Sequence, residues 1–130
     1  MDQRMMILLT YKRKVLLACK DLILPGPQPK FWHFIVGAKD KNQSSEENMK
    51  KVVQDETGIT LDNLELISQN QKESFYHTHL TDENVNNIVR AEGKILEFFS
   101  LKELGGLSLS ILTKLLITKH KDLLEKADAA

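Results

Sequence analysis

The chain has 130 residues, with 18 Lys+Arg against 18 Asp+Glu, 42% hydrophobic and 28% charged residues. That balance is expected of a single soluble globular domain spanning 1–130, and it leaves no overall field to recruit a polyanion, so nucleic acid is disfavoured as a partner. A lone cysteine, Cys19, excludes an internal disulfide framework and suits a reducing compartment. The apolar run Met5 to Leu9 is too short for a membrane span or a signal-peptide core, so the expectation is a cytoplasmic protein with no membrane partner.

In chain order, Met5 to Thr10 and Lys14 to Cys19 are short apolar runs split by Tyr-Lys-Arg, and they read as two strands of a hairpin or meander. Pro25-Gly26-Pro27-Gln28-Pro29 can continue neither a helix nor a ladder, so the segment from Asp21 to Lys30 reads as a surface loop. Phe31 to Val36 is a β-prone run leading into Gly37, whose missing Cβ lets the backbone approach a neighbour or ligand closely.

The stretch Gly37 to Ile59 carries most of the chemistry. A loop through Asp40, Asn42 and Gln43 leads to Ser44-Ser45-Glu46-Glu47, where Ser44 and Glu47 have capping-box spacing. The helix that follows is expected to reach about Thr57, with Gly58 as its left-handed terminator. Met49 and Val53 form its core stripe, and Lys51 and Asp55 are placed for an i,i+4 pair. Val52, Asp55 and Glu56 share one arc. Two adjacent carboxylates on such an arc could hold a hard divalent cation, although a solvated acidic helix end has the same composition.

Further on, Leu61 to Ser68 and Ser74 to Leu80 read as strands, the second placing Phe75, His77 and His79 on one face. His77-x-His79 has transition-metal spacing but lacks an evident third ligand. Thr81 to Arg90 is a polar connection of weak helical character, and Lys94 to Phe99 is a strand. Ser100 and Glu103 form a second capping box that opens a short helix. After Gly105-Gly106, Ser108 or Ser110 opens a last helix with Leu109, Leu112, Leu115 and Leu116 as its apolar stripe.

Gly37 to Ile59 resembles the signature of the Nudix hydrolases, G-x5-E-x7-R-E-U-x-E-E-x-G-U, with U a bulky aliphatic residue. Gly37, Val53, Asp55, Glu56, Gly58 and Ile59 fit the pattern, and Lys51 stands for its arginine. Gln43 and Val52 replace two glutamates, so the box is degenerate. Trp32, Phe34 and Gly37 are similar to the family's W-x-F-P-G-G. Glu92-Gly93 followed by a strand and Ser100-Leu101-Lys102-Glu103-Leu104 resembles its late E-G, strand, S-x-x-E-L run.

The resemblance implies an α/β/α sandwich with a mixed, partly parallel sheet between helices. It also implies hydrolysis of a nucleoside diphosphate linked to another group, with Mg²⁺ or Mn²⁺. By the same resemblance, Asp55, Glu56, Glu92 and the Gly37 carbonyl are the metal ligands, with Glu56, Asp55, Glu92 and Lys51 as the catalytic set. Lys51 would orient a carboxylate. Val52 stands where the family has a metal-binding glutamate, so Asp40, Glu46 or Glu92 would have to substitute for it. The alternative is a non-catalytic Nudix-like domain that binds a nucleotide, a metabolite or a protein partner. A homodimer is an open possibility.

Overall fold

The computed structural model describes residues 4–20, 31–38, 44–89 and 94–126. The proline-rich segment, Asp40, Gln43 and Glu92, all read above from sequence, lie outside the described residues.

The fold is built on β1 (Arg4–Tyr11), whose residues from Met5 to Thr10 are all buried. A strand covered on both faces needs an unbroken apolar run rather than an alternating one. β1 pairs antiparallel with β2 (Lys14–Lys20) across a turn in which Lys12 and Arg13 both have positive φ, 46° and 60°. Such two-residue turns match the twist of the strands they join.

Along its first half β1 also pairs antiparallel with β3 (Ile35–Ala38), including Met5 with Gly37. Parallel to β1 runs β5 (Glu73–His79), which pairs antiparallel with β4 (Glu65–Gln69). β2 pairs antiparallel with β6 (Lys94–Ser100), giving the order β4-β5-β1-β2-β6 with β3 branching from β1.

Helices cover both faces. On one, Met49 and Val53 of α1 (Ser45–Thr57) pack with Met5, Ile7, Leu9, Leu16, Ile35 and Tyr76, and Val85 of α2 (Asp82–Asn86) joins them. On the other, Leu104 of α3 (Leu101–Leu104), Ile117 of α4 (Ile111–Lys119) and Leu124 of α5 (Lys121–Lys126) pack against Met6, Leu8, Leu17 and Phe75. This is an α/β/α sandwich with a mixed sheet, as expected.

Local expectations differ from the structure in four places. β3 starts at Ile35 and runs through Gly37, while Trp32 and His33 make isolated bridges to Leu109 and Ala18. The segment after Gly58 stays irregular until Glu65, although Ile59 and Leu61 are core residues. The last helix is split at His120, which caps α4. Its inner face also differs at one position of the leucine stripe: Leu109, Leu112 and Leu116 pack partly buried against the core beside the buried Thr113 and Ile117, whereas Leu115 is 62% exposed. Thr113 is tolerated inside because its hydroxyl accepts hydrogen bonds from the Phe34 amide at 3.3 Å and the Ser110 hydroxyl at 2.7 Å.

Candidate functional site

α1 begins at Ser44, whose hydroxyl accepts from the Glu47 amide at 3.2 Å. The Glu47 carboxylate lies 3.8 Å from the Lys50 ammonium. Only the serine arm of the expected capping box is formed among the described residues. The helix ends as the sequence suggests, with Gly58 at φ 78° and its amide donating to the Gln54 carbonyl. Thr57 is buried and satisfied, donating to the Val53 carbonyl at 2.7 Å and accepting from the Ile59 amide at 3.1 Å.

Burial of Met49 and Val53 fixes the rotation of α1 about its axis, and with 3.6 residues per turn the remaining positions follow. Val52 and Glu56 fall on the flank between core and solvent. Lys51 and Asp55 fall on the outer side, where both are exposed. No ion pair joins Lys51 to Asp55 among the described residues, so the expected i,i+4 contact is not made there.

The inner flank meets two strands. Val52 packs on β3 so closely that a Cβ built at Gly37 would lie 2.6 Å from Val52 Cγ2. One turn on, Glu56 faces β6, with its Oε1 3.9 Å from Lys94 Nζ and both side chains only about a quarter exposed, 23% and 24%. The structure therefore brings Gly37, Val52, Glu56 and Lys94 together and leaves Lys51 and Asp55 outside the group. Lys94 was not among the residues singled out from sequence. As the first residue of a strand after Glu92-Gly93 it carries no motif signal, and only its ion pair with Glu56 brings it to notice.

No protein-family model matches the chain, and no curated protein matches it in sequence. Solved structures do match its fold. A MutT Nudix hydrolase from Burkholderia pseudomallei superposes with a TM-score of 0.72 at 16% identity, covering 92% of this chain and 97% of that one. A Nudix hydrolase from Nitrosomonas europaea gives 0.69 at 12% identity, covering 93% and 88%. The Nudix domain of Shewanella oneidensis NrtR, in complex with ADP-ribose, gives 0.66 at 15% identity, covering 94% and 87%. The fold is that of the Nudix hydrolases.

At these identities the likeness concerns the fold, and the fit of this Nudix fold to a divalent metal has to be judged on its own side chains. Hard cations are held by several oxygen ligands, with carboxylates supplying the charge. Here the arc offers Glu56, already paired with an ammonium, an exposed Asp55, and an apolar Val52 pressed on Gly37. Among the described residues no group of three or more His, Cys, Asp or Glu side chains could hold a metal ion. The described donor set does not fit a divalent cation.

Two other features border the same half of the Nudix fold. A cleft of about 800 Å³ opens beyond the end of α1, lined by Gly58, Asp62, Asn63, His79 and Asn87 among others. None of Gly37, Lys51, Asp55 or Glu56 lines it, and among the described residues its lining contains neither lysine nor arginine. On the opposite face of the sheet, the buried Thr10 hydroxyl lies 2.9 Å from His77 Nε2 and 3.2 Å from His79 Nδ1. Burial holds the His77 pKa below its ordinary value, with His79 acting in the same direction and Glu65 opposing. The His-x-His pair is thus tied to a threonine hydroxyl, and no third metal ligand joins it among the described residues.

Proposed function

We propose that residues 1–130 form a single Nudix-like domain that binds a nucleoside diphosphate derivative and no longer hydrolyses it efficiently. One observation carries this reading: the position that would need a third carboxylate is Val52, and it is packed against Gly37 instead of lining an open acidic cleft. A hydrolytic site of this type needs a carboxylate to take a proton from water, and losing such a group typically costs about 10²–10⁴ in rate. Binding makes no such demand. The Nudix domain of NrtR in complex with ADP-ribose supports the choice of ligand class, and ADP-ribose is the natural first probe.

Gly37, Glu56 and Lys94 bound the proposed site, with Lys51 and Asp55 on its exposed rim. A metal-dependent hydrolase is the second reading. It is favoured by the retention of Asp55 and Glu56 on the last turns of α1, and it requires Glu92, Asp40 or Glu46 to complete a set for Mg²⁺ or Mn²⁺. No helix among the described residues is long and apolar enough to cross a membrane.

Calorimetric titration with ADP-ribose, run beside a turnover assay with Mg²⁺ and with Mn²⁺, separates the two readings. Saturable binding with negligible turnover is the expected result. Turnover at ordinary enzyme rates would replace the binding reading with the hydrolase.

A further inference from the structure

We propose that the Lys94 ammonium stands in for the divalent cation of this site, so that a diphosphate group is held by direct ammonium–phosphate contact without metal. The inference rests on the reading of the protein as a binding domain for diphosphate-bearing ligands, and it names the group that recognises them.

Two observations support it. First, Lys94 is where a cation would act. Its Nζ is 3.9 Å from Glu56 Oε1, the half-buried carboxylate of the box, and its side chain is 24% exposed. A divalent ion entering beside Glu56 would have to displace that ammonium or tolerate a like charge within a few ångströms, where little water screens it. Each cation therefore excludes the other.

Second, the neighbouring surface does not compete for the cation. The third position on the arc is Val52, closed over Gly37, and Asp55 is exposed on the outer side of α1. Lysine binds phosphate as a point charge and needs no planar fork, which suits a ligand approaching along one open side. Glu56 then acts as a positioning residue that holds the ammonium in place.

The test uses inorganic pyrophosphate and Mn²⁺ as separate probes on the full chain, with ADP-ribose in parallel. In EDTA, pyrophosphate should bind the wild type. Lys94→Ala should weaken it by about tenfold or more, while Lys94→Arg keeps most of the affinity. Manganese relaxation should detect no site in the wild type at millimolar metal. Lys94→Glu, which sets a second carboxylate beside Glu56, should gain one. Melting curves on each variant exclude unfolding as the cause, and Lys94→Gln, which keeps a long polar side chain without the charge, replaces Lys94→Ala if the latter is poorly folded.

Pyrophosphate binding that is absent, needs Mn²⁺, or is unchanged in Lys94→Ala overturns the proposal. The underlying reading fails separately. ADP-ribose that binds only with Mn²⁺ sinks the lysine substitution but keeps the binding domain. Pyrophosphate binding through Lys94 with no affinity for ADP-ribose keeps the anion site but removes the nucleotide.

Discussion

Val52 closes over Gly37: a methyl added to the glycine would sit 2.6 Å from Val52 Cγ2 and 3.3 Å from Cγ1. By the resemblance to the Nudix signature the two residues stand at its first glycine and one of its glutamates, and here the valine methyls take up the space beside the glycine backbone. Gly37→Ala should therefore cost about 1–3 kcal/mol through overpacking. Val52→Ala makes room for the methyl, so the double variant should recover part of that loss. Urea melts of the four proteins form a double-mutant cycle, and an interaction energy near zero would mean that the valine moves aside freely.

Val52→Glu tests whether the missing acid can simply be restored. The side chain packs partly in the core beside Ile35, Met49 and Val53, so a carboxylate there is desolvated and repelled by its surroundings. Stability should fall by about 1–3 kcal/mol. Manganese affinity should not improve while Lys94 is present, because the new charge finds an ammonium within reach before it finds a metal. An unchanged melting temperature with tight Mn²⁺ binding would show instead that the cleft stands open.

Gly58 is constrained twice. Its φ of 78° is unfavourable for any residue with a Cβ, and a Cβ would meet the Val89 amide nitrogen at 3.0 Å and the Asn87 carbonyl at 3.1 Å. Both belong to the chain after α2, which is fastened there by the Val89 amide donating to the Thr57 carbonyl at 2.7 Å. Gly58→Ala should cost about 1–2 kcal/mol from the backbone alone, and more from the crowding. Hydrogen exchange should show the Val89 amide losing protection before the amides in the middle of α1.

The two faces of α4 respond differently to truncation. Ile117→Ala removes a buried side chain from the core cluster that includes Phe75 and Trp32 and should cost about 2–5 kcal/mol. Leu115→Ser, on the solvent side, should stay within about 0.5 kcal/mol. Thermal melts distinguish this arrangement from a leucine stripe facing the core, for which Leu115→Ser would be the damaging change.

These contrasts mark what the sequence could and could not convey. Central strands are legible because burial on both faces demands an uninterrupted run such as Met5 to Thr10. The ends of α1 are legible because Ser44 and Gly58 act through local hydrogen bonds and backbone conformation. The leucine stripe holds at Leu109, Leu112 and Leu116, which pack on the core, and fails at Leu115, because polar Thr113 takes an inner position once its hydroxyl has partners 79 and three residues away, and periodicity alone cannot see them. The site was half legible. Gly37, Asp55 and Glu56 come from one contiguous pattern, but the partner of Glu56 lies on a distant strand. Neither Lys94 nor the closure of Val52 on Gly37 has any local signature.

The His77 environment gives a pH dependence of defined sign. Burial lowers its pKa, aided by the nearby His79 and opposed by Glu65, its register partner on β4. A histidine with a lowered folded-state pKa is disfavoured in its charged form, so the unfolded chain takes up the proton first as pH falls. The associated stability is present above the ordinary value of 6.5 and is lost as pH falls through the lower folded-state value. Neutral His77 also suits its contact with Thr10, whose hydroxyl can donate to one imidazole nitrogen and accept from the other histidine. Urea midpoints should thus decline from pH 7.5 to 5.0, and His77→Gln should flatten that decline while lowering stability at pH 7.5. A slope unchanged by the substitution would assign the acid sensitivity to other groups. A slope of opposite sign would mean that Glu65 outweighs burial and holds His77 protonated.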